Sequence, residues 1–116
     1  MQFARALAQI WEADLTHARY LLLDEPTASL DLSHQHHLLH LARNWASNNT
    51  GVLCVLHDLN LAAQYADEIH VLQSSETVAS GTPDEVLTPD IISQAFNIRI
   101  AQLDHPAGNF PLIVPI

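Results

Sequence analysis

Two short apolar runs, each closed by charged residues, constrain this chain more than any other feature. Tyr20-Leu21-Leu22-Leu23 stops at Asp24-Glu25-Pro26, and Val52-Leu53-Cys54-Val55-Leu56 stops at His57-Asp58. Runs this brief and this continuously apolar read as strands buried on both faces, as in a parallel sheet. Between them, residues 32–48 carry Leu38, Leu41, Ala42 and Trp45 at helical spacing and end at Asn48-Asn49-Thr50-Gly51, so the pattern predicts a crossover helix. A right-handed crossover lays the two strands side by side, with their charged ends at one edge of the sheet. Asp58 is placed to N-cap a further helix over 58–67, with Leu59, Ala62, Ala63 and Ala66 on its apolar face.

The flanking segments extend this order. Residues 2–13 place Phe3, Ala6, Leu7 and Ile10 at i, i+3, i+4, i+7, which predicts a helix. Short strands are expected around 69–73 and 77–80. Thr82-Pro83 and Thr88-Pro89 each give a helix start with Thr as N-cap and Pro at N1, the second helix running to about Phe96. Weaker strand patterns cover 98–103 and 110–114. Strand–helix–strand–helix–strand makes the fold class α/β with a parallel core and flanking helices. A length of 116 residues fits one domain or part of one, and 48% apolar residues can supply a core. Cys54, the one cysteine, lies mid-strand and is read as a small buried hydrophobe, so no intrachain disulfide forms. The first residues carry no signal-peptide pattern, and no apolar run approaches the ~20 residues that span a bilayer.

Charge excludes whole classes of partner. Four Lys or Arg against thirteen Asp or Glu give a formal charge of −9, and the basic residues are Arg5, Arg19, Arg43 and Arg99 with no lysine. Nucleic-acid backbones and anionic membrane surfaces are bound by clustered Lys and Arg, so nucleic acid is not expected as a partner and an anionic membrane surface is disfavoured. The three glycines, Gly51, Gly81 and Gly108, are isolated, and no Gly-rich phosphate loop ending in Gly-Lys can be written with them.

The chemistry concentrates at the two strand ends. In open parallel sheets, ligands sit beyond the carboxyl ends of the strands. Adjacent residues there point different ways, so Asp24 can face Mg²⁺, through water, while Glu25 polarises an attacking water. Taken alone, Asp-Glu-Pro reads better as an acidic helix-entry turn. His57 at the end of the neighbouring strand changes the balance, because an imidazole there can hold the attacking water or a phosphate. The histidines His34, His36, His37 and His40, with His17 upstream, invite a metal reading. Their positions opposite Leu38, Leu41 and Trp45 favour a solvated helix face instead. Trp11 and Trp45 read as core or interface anchors, and Arg5 as the partner of an acidic neighbour.

The segment LLLDEPTASLD at 21–31, followed by VLCVLHDLNLAAQYADEIHVL at 52–72, resembles the C-terminal half of an ABC-transporter nucleotide-binding domain. Leu21–Pro26 resembles its Walker B strand, Ser29-Leu30-Asp31 its D-loop and His57 its switch histidine. Residues 1–10 resemble the helix after the LSGGQ-type signature, and residues 79–87 the stretch after the last sheet strands. The likeness covers roughly residues 1–100. Within the family, residues 57–67 are similar to importers of iron complexes, haem and cobalamin, and residues 31–36 and 110–116 lean towards hemin importers. The family's Walker A loop, adenine-stacking aromatic, Q-loop and signature have no counterpart in these 116 residues. The expectation is therefore a partial nucleotide-binding domain over 1–116, the C-terminal part of a P-loop (RecA-like) fold without its Walker A half.

The resemblance implies an ATPase subunit that couples hydrolysis to import of hemin or a related metal chelate, at the cytoplasmic face of the membrane as a peripheral protein. It implies ATP and Mg²⁺ as cofactors, with Glu25 and His57 catalytic, Asp24 on the metal and Asp31 communicating across a dimer interface. Its implied partners are a second ATP-binding subunit, transmembrane permease subunits and, through them, a substrate-binding protein. The alternative is a non-catalytic half-domain that at most binds a protein partner, or an ATPase serving ferric siderophore or cobalamin import. In the related fold the His57 strand lies between the Walker B and Walker A strands. The far edge of Val52–Leu56 is thus expected to be bare, and the isolated chain to be insoluble, oligomeric or molten.

Overall fold

The computed structural model describes residues 4–11, 19–47 and 50–116. Strand β1 (Ala4–Trp11) is followed by β2 (Arg19–Asp24), helix α1 (Leu32–Ala46), β3 (Thr50–Leu56) and α2 (Leu59–Tyr65). Then come β4 (Glu68–Gln73), β5 (Glu76–Gly81), α3 (Pro83–Val86), α4 (Pro89–Phe96), β6 (Ile100–Asp104) and β7 (Pro111–Pro115). A five-stranded sheet has the order β2-β3-β1-β4-β5, and β6 and β7 form a separate antiparallel hairpin.

The parallel pair is where the apolar runs place it. Strand β2 runs beside β3 with Leu21 opposite Val52 and Asp24 opposite Val55, joined through α1. The other pairings, β3–β1, β1–β4 and β4–β5, are antiparallel, so β4 runs in the same direction as β2 and β3, with β1 inserted between β3 and β4. The largest correction is β1. Residues 4–11, with helical periodicity in the sequence, form a strand between β3 and β4, antiparallel to both. Ala6 lies opposite Leu56 on one side and Val71 on the other. Two apolar strands with facing open edges present two rows of unpaired N–H and C=O groups, and one strand between them satisfies both rows. That gain exceeds the helix preference of an alanine-rich octet, a few tenths of a kcal/mol per residue. The β3 edge expected to be bare is therefore covered, and the outer strands of the sheet are β2 and β5. Phe3, Glu12 and His17 lie outside the described residues.

One buried cluster joins α1 (Leu39, Ala42, Ala46), β3 (Val52, Cys54, Leu56), α2, β4 (Ile69, Val71), Val86, Leu87, α4 (Ile92, Ala95), Ile100 and Ile113. Leu21 and Leu23 lean on it, but Tyr20 and Leu22, of opposite parity in β2, are 75% and 66% exposed. The strand expected to be buried on both faces is thus buried on one. The apolar face of α1 is also turned by one position: Leu39, Ala42 and Ala46 are buried, whereas Leu41 and Trp45 are exposed. Helix α2 buries Leu61, Ala62, Ala63 and Tyr65. Thr88 caps α4 by accepting from the Ile91 N–H at 3.3 Å, and at α3 the Thr82 N–H and hydroxyl both donate to Glu85 Oε1, at 3.1 and 2.8 Å, the Glu half of a capping box.

Cys54 is fully buried, and burial pushes its thiol from 9.0 up to about 11. The neutral thiol is the form favoured by the fold. Its contribution is therefore intact below about pH 9 and is lost as the pH rises through about 11. Urea unfolding of wild type and Cys54→Ala across that range should show the two stabilities converging as the solution becomes more alkaline. Parallel curves would place the thiol in contact with water.

Candidate functional site

The carboxyl ends of β2 and β3 meet at one edge of the sheet. Pairing continues one residue past β2, where the Glu25 N–H donates to the Val55 carbonyl at 2.8 Å. Glu25 then turns sharply with φ of +51°. That is costly for a non-glycine residue, about 1–3 kcal/mol, and the following Pro26 narrows the backbone choices further. The turn closes through Ala28 N–H to Glu25 O at 3.2 Å and Leu30 N–H to Thr27 O at 3.2 Å. A strained residue held on both sides by hydrogen bonds is a common mark of a functional position.

The bend carries the Glu25 carboxylate across to β3. Glu25 Oε1 lies 2.5 Å from His57 Nε2, with the two side chains 34% and 52% exposed. Two residues separated by 32 positions are thereby brought together, as the strand-end reading expects. Asp24, the last residue of β2, is exposed beside them.

Asp31 opens α1. Its carboxylate accepts from the His34 N–H at 2.9 Å and lies 2.7 Å from His34 Nδ1. The backbone bond from His34, followed by its ring, holds the Asp31 carboxyl below the usual carboxylate range. This interaction stabilises the fold above that range and is lost as the pH falls through the lowered value.

Two polar side chains that sequence reasoning missed support the site. Gln35 Nε2 donates to the Thr27 carbonyl at 3.3 Å and the Leu30 carbonyl at 3.1 Å, fastening the turn between Glu25 and Asp31. Asn60, in the first turn of α2, exchanges hydrogen bonds with Ile113 of β7. An Asn is a poorer helix former than Ala, and that mismatch was the available signal.

The α1 histidines do not form a uniformly solvated face. His36 is half-buried, with Nδ1 2.6 Å from the Tyr65 hydroxyl, and the His40 ring meets Tyr65 edge-on at 5.1 Å. Burial raises the Tyr65 phenol above its ordinary value. Arg43 donates to the Tyr65 carbonyl at 2.6 Å and to Asp67 at 3.4 Å, so this side of α1 joins α1 to α2. Among the described residues, no three His, Cys, Asp or Glu side chains stand together in a form that could hold a metal ion. Trp45 is 43% exposed; the side chains of Arg5 and Trp11, and all of His17, lie outside what the structure describes.

No family model matches the chain. It is 53% identical over 116 residues to a hemin import ATP-binding protein HmuV of Gloeobacter violaceus, covering 100% of this chain and 42% of that protein. The proteins of the same name in Burkholderia thailandensis and Mesorhizobium japonicum are 50% and 43% identical, each over 99% of this chain and 43% and 44% of their own lengths. A solved structure described as a metal-chelate type ABC transporter in an inward-facing conformation superposes with a TM-score of 0.69 at 28% identity, covering 84% of this chain and 40% of its own. The chain thus spans about two-fifths of the length of the curated relatives it matches.

Proposed function

We propose, on the premise that this chain belongs to the ATP-binding subunits of ABC transporters, that its two strand ends act on Mg-ATP in an importer of hemin or a related metal chelate. The observation that carries the reading is the pairing of Glu25 with His57 at the carboxyl ends of adjacent parallel strands. Glu25 orients and polarises the water that attacks the γ-phosphate in line. His57 holds the Glu25 carboxylate and, with nucleotide present, the γ-phosphate. Asp24 suits a hard, oxygen-seeking cation that keeps part of its water shell, and it sits beside the reacting groups without sharing the His57 bond. Bound Mg²⁺ would neutralise charge on the transferring phosphoryl group.

Asp31, exposed at the start of α1, is proposed to face a second ATP-binding subunit in a head-to-tail pair. Permease subunits, and a substrate-binding protein reached through them, complete the proposed assembly at the cytoplasmic face of the membrane. No helix among the described residues is long and apolar enough to cross a membrane, which fits a peripheral subunit.

The test is a chimera in which these 116 residues replace the matching segment of the Gloeobacter violaceus relative. The chimera should hydrolyse ATP and restore hemin uptake with the relative's permease. A folded chimera without ATPase activity would refute the reading. The 116 residues by themselves should behave differently. Nucleotide affinity in P-loop proteins comes largely from backbone N–H groups cradling phosphates and from a loop lysine, and this sequence has no lysine. Isothermal titration of the chain alone with Mg-ATP should therefore give no saturable binding into the millimolar range, about −4 kcal/mol. Micromolar binding that His57→Ala abolishes would reveal a nucleotide site within these residues.

A further inference from the structure

The structure assigns Asn60 a positioning role: its side-chain amide locks the helix that follows His57 to the β6–β7 hairpin, and through that lock keeps His57 on Glu25. The inference rests on the proposed roles of Glu25 and His57 and adds the group that holds their geometry.

The argument starts at the backbone of Ile113. In β7 this residue stands opposite Gln102 of β6, and its outward N–H and C=O need partners elsewhere. Asn60 supplies both: the Ile113 N–H donates to Asn60 Oδ1 at 2.8 Å, and Asn60 Nδ2 donates to the Ile113 carbonyl at 3.1 Å. One amide thus pairs with the edge of β7 as a neighbouring strand would. The clamp is anchored in the core, since the Ile113 side chain is 5% exposed. A second amide ties the hairpin down, with Gln102 Nε2 donating to the Leu87 carbonyl at 2.8 Å.

On its other side, Asn60 belongs to the turn that aims His57. Asp58 is the N-cap of α2, and its carboxylate accepts from the N–H groups of Asn60 at 2.9 Å and Leu61 at 3.2 Å. His57 precedes that cap directly and is itself half exposed, so its own packing fixes it little. Its direction is set by β3 behind it and by the first turn of α2 ahead of it. With Asn60 clamped, the turn cannot rock against the hairpin. Without the clamp, the buried Ile113 N–H and C=O lose their partners and the first turn of α2 loses its polar tie to β7. Asn60 hydrogen-bonds Asp58 and Ile113 rather than Glu25 or His57, so its effect runs through the turn.

The experiment reads the Glu25–His57 contact in the intact chain by NMR of the His57 ring, assigned by its loss in His57→Gln. Glu25→Gln should move the ring resonances in the wild-type background. In the Asn60→Ala background the same substitution should move them at least about threefold less, as expected when two coupled groups are uncoupled. Asn60→Asp keeps the acceptor for the Ile113 N–H and should retain an intermediate response. Thr88→Ala, which loosens the cap of α4 away from the site, should retain the full one; this separates positioning from general destabilisation. A full-size response in Asn60→Ala, or no response to Glu25→Gln in the wild-type background, overturns the inference. If Asn60→Ala does not fold, Asn60→Asp decides, and a full-size response there overturns it. Failure of the catalytic reading would appear separately, as chimera turnover indifferent to Glu25→Gln with the ring coupling intact.

Discussion

Glu25→Gln in the chimera is expected to leave Mg-ATP binding close to that of the parent and to lower turnover by about 10²–10⁴-fold. The amide has the size of the carboxylate and can still hydrogen-bond the His57 ring, so the strained bend after β2 is preserved. What is lost is the negative charge that accepts a proton from, or polarises, the attacking water. That loss is confined to the transition state, so it should fall on kcat with KM little changed. His57→Ala should also reduce hydrolysis more than binding, because it removes the group that restrains the Glu25 carboxylate. The measurement is steady-state ATPase activity alongside nucleotide binding for each variant. Glu25→Gln turnover within about twofold of the parent would remove Glu25 from the chemistry.

The second large effect is on stability. Leu39 of α1 and Ile69 of β4 are fully buried in the one core cluster that joins the sheet to its helices. Replacing either by Ala removes buried methyl and methylene groups and leaves a cavity, at a cost of about 2–5 kcal/mol. Domains of this size are stable by only about 5–15 kcal/mol, so each substitution should shift the urea midpoint strongly. Leu22→Ala is the informative contrast. Leu22 is 66% exposed in β2, and its truncation should change stability by no more than about 0.5 kcal/mol. A Leu22→Ala effect as large as that of Ile69→Ala would mean that the outer face of β2 is covered.

The two strand ends and their shared edge were more legible in the sequence than the architecture around them. Tyr20–Leu23 and Val52–Leu56 are apolar runs too short for helices, and each ends abruptly in charge, so their strand character and shared edge followed from periodicity and handedness alone. The caps at Asp58, Thr82 and Thr88 were equally readable, because capping is local to a residue and the next turn, whereas the Asp31 cap of α1 emerged only in the structure. Three features depended on tertiary structure. Residues 4–11 satisfy helical spacing, yet they are a strand because two long-range edges, β3 and β4, offered hydrogen bonds that no local signal encodes. The exposure of Leu22 and Trp45 was decided by which faces the folded sheet and α1 turned to the core, since apolar residues mark candidates for burial without naming their partners. The Asn60 clamp joins residues 53 positions apart through one amide and the backbone of Ile113, and a backbone acceptor leaves no trace in residue identity. Local order came from bonds within a turn or a strand; the rest came from unpaired backbone and apolar surface finding partners far along the chain.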